Sequence, residues 1–158
     1  MASHPPEFVL PTGSAHGQTL TVFGQTITER STSEDSHGGY YVFDEVTPPG
    51  TGVPPHRHRD EDEVVLVPAG NFDVLLNGTV SQVGPGPILN FARDSLHGFR
   101  CIGPTVGETT WITTPGLNVQ TFLRELATFP PGPPDFVRLD ALHARHAVTM
   151  LPPADPWW

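Results

Sequence analysis

Short runs of alternating apolar and polar residues, separated by glycine, proline and asparagine, fill the first two thirds of the chain. Alternation with a period of two is typical of half-buried strands. Asn77-Gly78 lies between two apolar stretches and is a strong hairpin signal. The regular spacing predicts an all-β sandwich or barrel. The strand-like runs cover residues 18–29, 39–47, 63–70, 71–83, 86–92, 96–103 and 108–116.

The pattern changes after Gly116. Apolar residues recur at helix-compatible spacing in 117–129 and again in 133–148, where Asp135 is suited to be the N-cap. The sequence therefore predicts a β core followed by two short helices that pack on its outside.

These patterns suggest one domain, which a chain of 158 residues can fill. We expect a proline- and glycine-rich arm over 1–18, a barrel over 19–116, and helices with a tail over 117–158 that belong to the same domain. The tail is proline-rich and ends in Trp157-Trp158, which could fold back onto the barrel or onto a partner subunit.

Charge and composition exclude several functions. The net charge is -9 and all eight basic residues are arginine, which argues against nucleic-acid partners and excludes lysine Schiff-base chemistry. No apolar run approaches the roughly 20 residues of a membrane span. The single cysteine, Cys101, cannot form an internal disulfide, and no signal peptide is recognisable. We therefore expect a cytoplasmic protein with no membrane partner.

Candidate chemistry begins at "HRHRDEDEVVLV", residues 56–67. On a strand, His56 and His58 would present both imidazoles on one face. Two neutral imidazoles directed at one point favour a divalent metal ion. Taken alone, such a pair is more often solvent-exposed, and the acidic run over 60–63 is more often a solvated turn.

The surrounding spacing decides between these interpretations. Gly50, His56, His58, Glu63 and Gly70 follow the pattern Gly-x5-His-x-His-x4-Glu-x6-Gly. This resembles the first motif of the cupin superfamily, with every spacing kept. The resemblance implies a single cupin barrel, a double-stranded β-helix or jelly roll, with one or two short C-terminal helices.

The second cupin motif has a partial counterpart. Its glycine and histidine are kept as Gly86 and His97, whereas Ala92, Asp94 and Cys101 stand where the family has Pro, Gly and Asn. The C-terminal segments "TTPGLNVQTFLREL" and "LDALHARHAVTMLPP" are similar to small single-barrel cupins of the quercetin dioxygenase type.

The cupin resemblance implies a metal site made of His56, His58, Glu63 and His97. Three imidazoles and one carboxylate suit one divalent transition-metal ion, which could be Fe, Mn, Ni, Co, Cu or Zn. We expect the acidic residues 60–62 to lie in the turn before the strand of Glu63. There they could pair with Arg57 and Arg59, and their negative charge would raise the pKa of the imidazoles.

The same alternation would turn Phe99 and Cys101 to the side of His97, with Cys101 as a small core residue. His143 and His146, three apart on the second helix, are expected to have a surface or helix-packing role. The candidate substrate-pocket residues are Phe72, Phe91, Phe99, Cys101 and Trp111.

For the function, the resemblance favours a dioxygenase of secondary metabolism that acts on an enol- or phenol-bearing aromatic metabolite, resembling a flavonol or a polyketide. Its partners would be this small molecule, O2 and a second copy in a homodimer, and Glu63 would also act as a catalytic base. Two alternatives stay open. One is an isomerase, lyase or cyclase that uses the metal as a Lewis acid; the other is a ligand-binding cupin without catalysis.

Overall fold

The strands of the protein form two antiparallel sheets that face each other. The computed structural model describes residues 6–132 and 135–151. The strands are β1 (Thr19–Val22), β2 (Gln25–Ser31), β3 (Tyr41–Thr47), β4 (Gly52–His58), β5 (Asp62–Ala69), β6 (Phe72–Leu76), β7 (Thr79–Val83), β8 (Ile88–Phe91), β9 (His97–Cys101), β10 (Gly107–Thr114) and β11 (Val148–Met150). One sheet has the order β1-β2-β3-β10-β5-β8, and the other has the order β11-β4-β9-β6-β7. The predicted all-β fold is confirmed.

Tight turns between strands follow the signals in the sequence. Asn77 and Gly78 have φ of 47° and 88° and join β6 to β7 in the predicted hairpin. Phe23 and Gly24, with φ of 47° and 85°, make a second such turn. The strand-like run 18–29 is therefore split into β1 and β2, which pair with each other.

An aromatic core fills the space between the sheets. Phe43 on β3 stacks on Trp111 of β10 with 5.9 Å between ring centroids, and Phe99 of the other sheet lies 5.3 Å from Trp111. All three side chains are buried. The alternation of the strands therefore directs both inner faces into one core.

The helices lie where the sequence predicts them, over α1 (Leu117–Leu126) and α2 (Phe136–Arg145). The carboxylate of Asp135 accepts a hydrogen bond from the backbone N–H of Arg138, which confirms the predicted N-cap. Among the described residues, no helix is long and apolar enough to cross a membrane.

The C-terminal segment differs from the prediction. The second helix was expected to reach residue 148 and an irregular tail to follow, but α2 ends at Arg145 and the chain returns as β11 along β4. Ala147 has a φ of 54°, which breaks the helix, and the β-branched Val148 and Thr149 favour a strand. The Trp-Trp tail and Pro133-Pro134 lie outside the described residues. The proposed boundaries 1–18, 19–116 and 117–158 stay a prediction.

Candidate metal centre

Four buried side chains from both sheets converge at one point. His56 and His58 lie on β4, and the pairing of β4 with β9 places His97 directly opposite His56. Glu63 comes from β5 in the facing sheet. One ligand atom of each residue lies within 4.8 Å of one ligand atom of every other. The four side chains are at most 6% exposed, so the cluster is shielded from bulk water.

Glu63 contacts two of the imidazoles. Its Oε2 lies 2.9 Å from Nε2 of His97, and its Oε1 lies 3.7 Å from Nε2 of His58. Glu63 lies on the buried face of β5, and the sheet that contains β4 and β9 faces it, so its carboxylate meets imidazoles from both strands.

Backbone carbonyls orient two of the imidazoles. Nδ1 of His56 lies 2.8 Å from the carbonyl oxygen of Pro54, and Nδ1 of His97 lies 3.0 Å from that of Ser95. A carbonyl only accepts, so we assign the ring proton to Nδ1 in both residues. Each Nε2 then directs a lone pair at the centre, as a metal-ligating histidine requires.

The third imidazole faces a carboxylate at ion-pair distance, without a hydrogen bond of full geometry between them. Oε2 of Glu61 lies 3.5 Å from Nδ1 of His58, and Oε1 of Glu61 accepts a 2.8 Å hydrogen bond from Nδ2 of Asn118 on α1. Glu61 is 1% exposed, so the expectation of a solvated turn residue is wrong here. Glu61 turns inward because α1 covers the strand end and supplies an amide donor to it.

The neighbouring acidic residues do face solvent, but not all of them pair as expected. Asp60 forms an ion pair with Arg59 at 2.7 Å, as expected. Asp62 instead pairs with Arg93 at 2.5 Å, and Arg57 donates to the backbone carbonyl of Asp94.

The electrostatics of the cluster fit a bound cation. Burial alone would raise the pKa of Glu63, but charge on the surrounding imidazoles lowers it to about 2. Burial lowers the pKa of His56 well below its ordinary value, and charge on His97 and His58 lowers it further. For His58, burial acts in the same direction but is outweighed by Glu63 and Glu61, so its pKa is raised.

Unsatisfied atoms point the same way. Oε2 of Glu63 and Nε2 of His97 face each other at 2.9 Å, and neither has a hydrogen-bond partner among the described residues. With the His97 proton on Nδ1, two lone pairs would meet unless a cation lies beside them. Three imidazoles and one carboxylate suit a divalent transition-metal ion, so the residues present fit the metal that the sequence predicts.

A cavity of about 720 Å³ leads to this cluster and reaches His56, His58 and Glu63. The facing sheets form one part of its wall, and α1, α2 and β11 form the other. Phe99 and Trp111, two of the candidate pocket residues, are among the residues that line it.

Three other predicted pocket residues lie behind the cavity wall. Phe91 stacks on the ring of His97 with 4.5 Å between centroids and supports that ligand from behind. Phe72 packs against Phe99 at 5.9 Å, and the buried Cys101 contacts the carbonyl oxygen of Thr105. These three are not among the described lining residues, and neither is His97, on which Phe91 stacks.

Glu45 and His143 line the cavity, although neither was predicted as a pocket residue. Glu45 on β3 lines the cavity, and the alternation of Tyr41, Phe43 and Glu45 was a signal that could have found it. His143 of α2 packs 5.7 Å from Phe122, as a helix-packing residue would, but it also lines the cavity. Burial lowers the pKa of His143.

Comparison with known proteins supports the cupin resemblance. The model of the cupin domain matches residues 43–113, a range that contains all four residues of the cluster. Over these residues the chain is similar to cupin domains, and solved structures share its fold. A search of curated proteins finds no match.

Solved cupin structures share the fold at low sequence identity. An oxalate decarboxylase of Thermotoga maritima, itself described as predicted, has a TM-score of 0.61 and 18% identity, covering 68% of this chain and 98% of that one. An RmlC-like cupin of Shewanella frigidimarina has a TM-score of 0.60 and 17% identity, covering 72% of this chain and 96% of that one. A sugar phosphate isomerase of Silicibacter pomeroyi has a TM-score of 0.51 and 20% identity, covering 58% of this chain and 59% of that one.

Proposed function

We propose that this protein is a metal-dependent dioxygenase that acts on a small, largely apolar enol or phenol, such as a flavonol- or polyketide-like aromatic. The observation that carries the proposal is the cavity of about 720 Å³, which leads from apolar and aromatic walls to the His56–His58–Glu63–His97 cluster. The cluster is the reactive end, and the walls set the kind of molecule that reaches it.

The lining of the cavity favours an aromatic substrate. Phe43, Phe99 and Trp111 offer ring faces near the cluster, and the helix side adds Phe122 and Leu139. Among the described residues that line the cavity, none is arginine, and the chain has no lysine. A phosphate or carboxylate group would therefore find no permanent cation to pair with, apart from the metal itself.

The residues of the site have distinct roles in this reaction. A transition-metal ion held by the cluster would supply Lewis acidity and, if redox-active, a path for electrons to O2. Glu63, ionised because its pKa is about 2, accepts a proton from the substrate hydroxyl only transiently. His143 is neutral at pH 7 and is a second proton acceptor facing the cavity. The apolar walls exclude water from the reacting enol.

A non-oxidative Lewis-acid reaction is the second candidate. Proteins that share the fold include one described as a sugar phosphate isomerase and one as an oxalate decarboxylase. The same ligand set would serve that chemistry, since a metal Lewis acid polarises a carbonyl without O2. The two candidates differ in whether O2 is consumed.

Metal analysis and O2 uptake test the proposal. We would determine the metal content of freshly purified protein by elemental analysis. An O2 electrode would then follow a panel of flavonols and enolisable aromatic polyketides, with Glu63→Gln as the inactive comparison. We expect about one metal per chain and one O2 consumed per substrate converted, with both oxygen atoms found in the product.

Other results would change the assignment. Conversion of a panel member without O2 uptake would favour the isomerase or lyase reaction. Protein that purifies without metal and fails to bind any added divalent ion would support a ligand-binding cupin instead. The homodimer and the cytoplasmic location stay predictions beside this proposal.

A further inference from the structure

Glu45 is a buried carboxyl that the metal cluster does not use. It lies on the inner face of β3, is 3% exposed and lines the cavity. Its Oε1 has no hydrogen-bond partner among the described residues. An acidic group in an apolar core without a partner is costly, so its retention in the cavity wall calls for a ligand.

Glu45 is separate from the metal centre along the sheet. Strand β10 lies between β3 and β5. Its residue Thr109 is paired with Glu45 of β3, and its residue Thr113 is paired with Glu63 of β5. These positions are four residues apart, which is about 13 Å along a strand. The backbones of the two residues are therefore separated along the cavity wall, and the carboxyl groups are near enough for the charge of Glu63 to raise the pKa of Glu45. A ligand of moderate length could reach both.

Thr47 and Trp111 lie near enough to Glu45 to lower its pKa, but neither makes a hydrogen bond of full geometry with its Oε1. Nε1 of Trp111 donates a 2.8 Å hydrogen bond to Oγ1 of Thr109, and Nε2 of Gln25, another lining residue, donates to the carbonyl oxygen of Gly52. Oγ1 of the buried Thr47, two residues along β3, also lacks a hydrogen-bond partner. The cavity thus has an unsatisfied polar end away from the metal cluster.

The protonation state follows from this environment. Burial raises the pKa of Glu45 to about 8, and the negative charge of Glu63 acts in the same direction. A protonated carboxyl has one O–H donor and a carbonyl acceptor. It can therefore bind a hydroxyl or a carbonyl, whereas an ionised carboxylate could only accept.

We propose that Glu45 is a second recognition point, which binds a hydroxyl or carbonyl group at the end of the substrate away from the metal. The proposal rests on the proposed function, because it requires that the cavity admits a substrate. It narrows the substrate class to elongated aromatics with an oxygen at each end. An aromatic with a single oxygen would leave the Glu45 carboxyl buried and unsatisfied.

A matched pair of rigid probes tests this role. 4,4'-Dihydroxybiphenyl has hydroxyls at both ends of its axis, and 4-hydroxybiphenyl lacks one of them. Their binding to the metal-containing protein would be measured by calorimetry without O2. The variants are Glu45→Leu and Glu45→Gln, with Asp44→Asn on the opposite face of β3 as the control. Circular dichroism and metal content verify that each variant is folded and loaded.

We expect wild type to bind the diol at least about ten-fold more tightly than the mono-ol. The diol would make a buried hydrogen bond with Glu45, whereas the mono-ol would leave the Glu45 carboxyl without a partner, and this difference in binding free energy corresponds to about ten-fold in affinity. Glu45→Leu should remove the preference and leave mono-ol binding within about two-fold. Glu45→Gln should keep most of it, since an amide also donates and accepts. Asp44→Asn should match wild type.

Two results would overturn the proposal: a preference retained by Glu45→Leu, or no preference in wild type, which includes failure of both probes to bind. If Glu45→Leu does not fold, the Glu45→Ala variant gives the same comparison. The proposed reaction fails separately. Absence of O2 uptake, together with a diol preference that depends on Glu45, would reject the oxygenase and keep this recognition point.

Discussion

Oε2 of Glu61 lies 3.5 Å from Nδ1 of His58, so a carboxylate stands directly behind one imidazole of the candidate metal centre. The other oxygen of Glu61 is held by Asn118 of α1. A carboxylate behind a ligating histidine fixes its tautomer and makes the imidazole a stronger ligand. The helix that covers the barrel thereby helps to shape the metal site.

The Glu61→Gln variant should bind the metal about 10- to 100-fold more weakly. This is the usual loss of metal affinity when a residue that contacts a ligating histidine is substituted. The amide oxygen can still accept from Nδ1, but the negative charge that favours a cation is lost. Competition with a chelator measures the metal affinity. Asp60→Asn is the control, because Asp60 is exposed and pairs with Arg59. Equal affinities in the two variants would show that Glu61 has no part in ligand orientation.

Removing one ligand should empty the site. For His97→Ala or Glu63→Gln, we expect the metal content of purified protein to fall from about one per chain to below about one tenth. Each change deletes one of four donors in a site that holds the ion only by their convergence. His16→Ala is the matched control, since His16 is paired with Asp35 away from the site. Full occupancy in either ligand variant would refute the assignment.

Metal binding should weaken as the pH falls. The pKa of His58 is raised, because Glu63 and Glu61 outweigh the effect of burial, so protons compete for this imidazole at a higher pH than for an ordinary histidine. A histidine must be neutral to bind the ion, and binding releases its proton. We expect the affinity to fall at least about ten-fold between about pH 7.5 and pH 5. Equilibrium dialysis against a metal buffer measures the affinity at each pH. A metal affinity that stays constant over this pH range would contradict the prediction.

The sequence could predict the ligands because the motif spacing resembles that of the cupin superfamily. Alternation on one strand accounts for His56 and His58 sharing a face. The long-range pairing that brings His97 beside His56 entered only through the resemblance. Glu61 could not be found in this way. Its burial depends on Asn118, which is 57 residues later in the chain.

The cavity lining was harder to predict for the same reason. Phe99 and Phe91 are both buried in the core, yet only Phe99 lines the cavity, while Phe91 stacks on the His97 ring. Alternation gives the face of a strand but not which layer of the core a side chain occupies. β11 was missed because a three-residue strand is too short to show a period.

The free energy of unfolding should depend on pH through Glu45. Its pKa is about 8 in the folded protein and near the ordinary 4.5 when unfolded. Between these values the unfolded chain releases the proton while the folded protein keeps it, so stability falls as the pH rises. The loss is complete above about pH 8, and the two pKa values limit it to about 5 kcal/mol.

The Glu45→Gln variant removes this titration. Urea unfolding at pH 5 and pH 8.5, with EDTA present throughout, gives the free energy of unfolding of wild type and variant. We expect wild type to lose more stability than Glu45→Gln by about 2–5 kcal/mol over this interval, since every other titrating group is common to both proteins. Asp44→Asn should follow wild type. Parallel pH profiles for wild type and Glu45→Gln would mean that Glu45 ionises normally, and its carboxylate could then accept a hydrogen bond from a hydroxyl but could not bind a carbonyl.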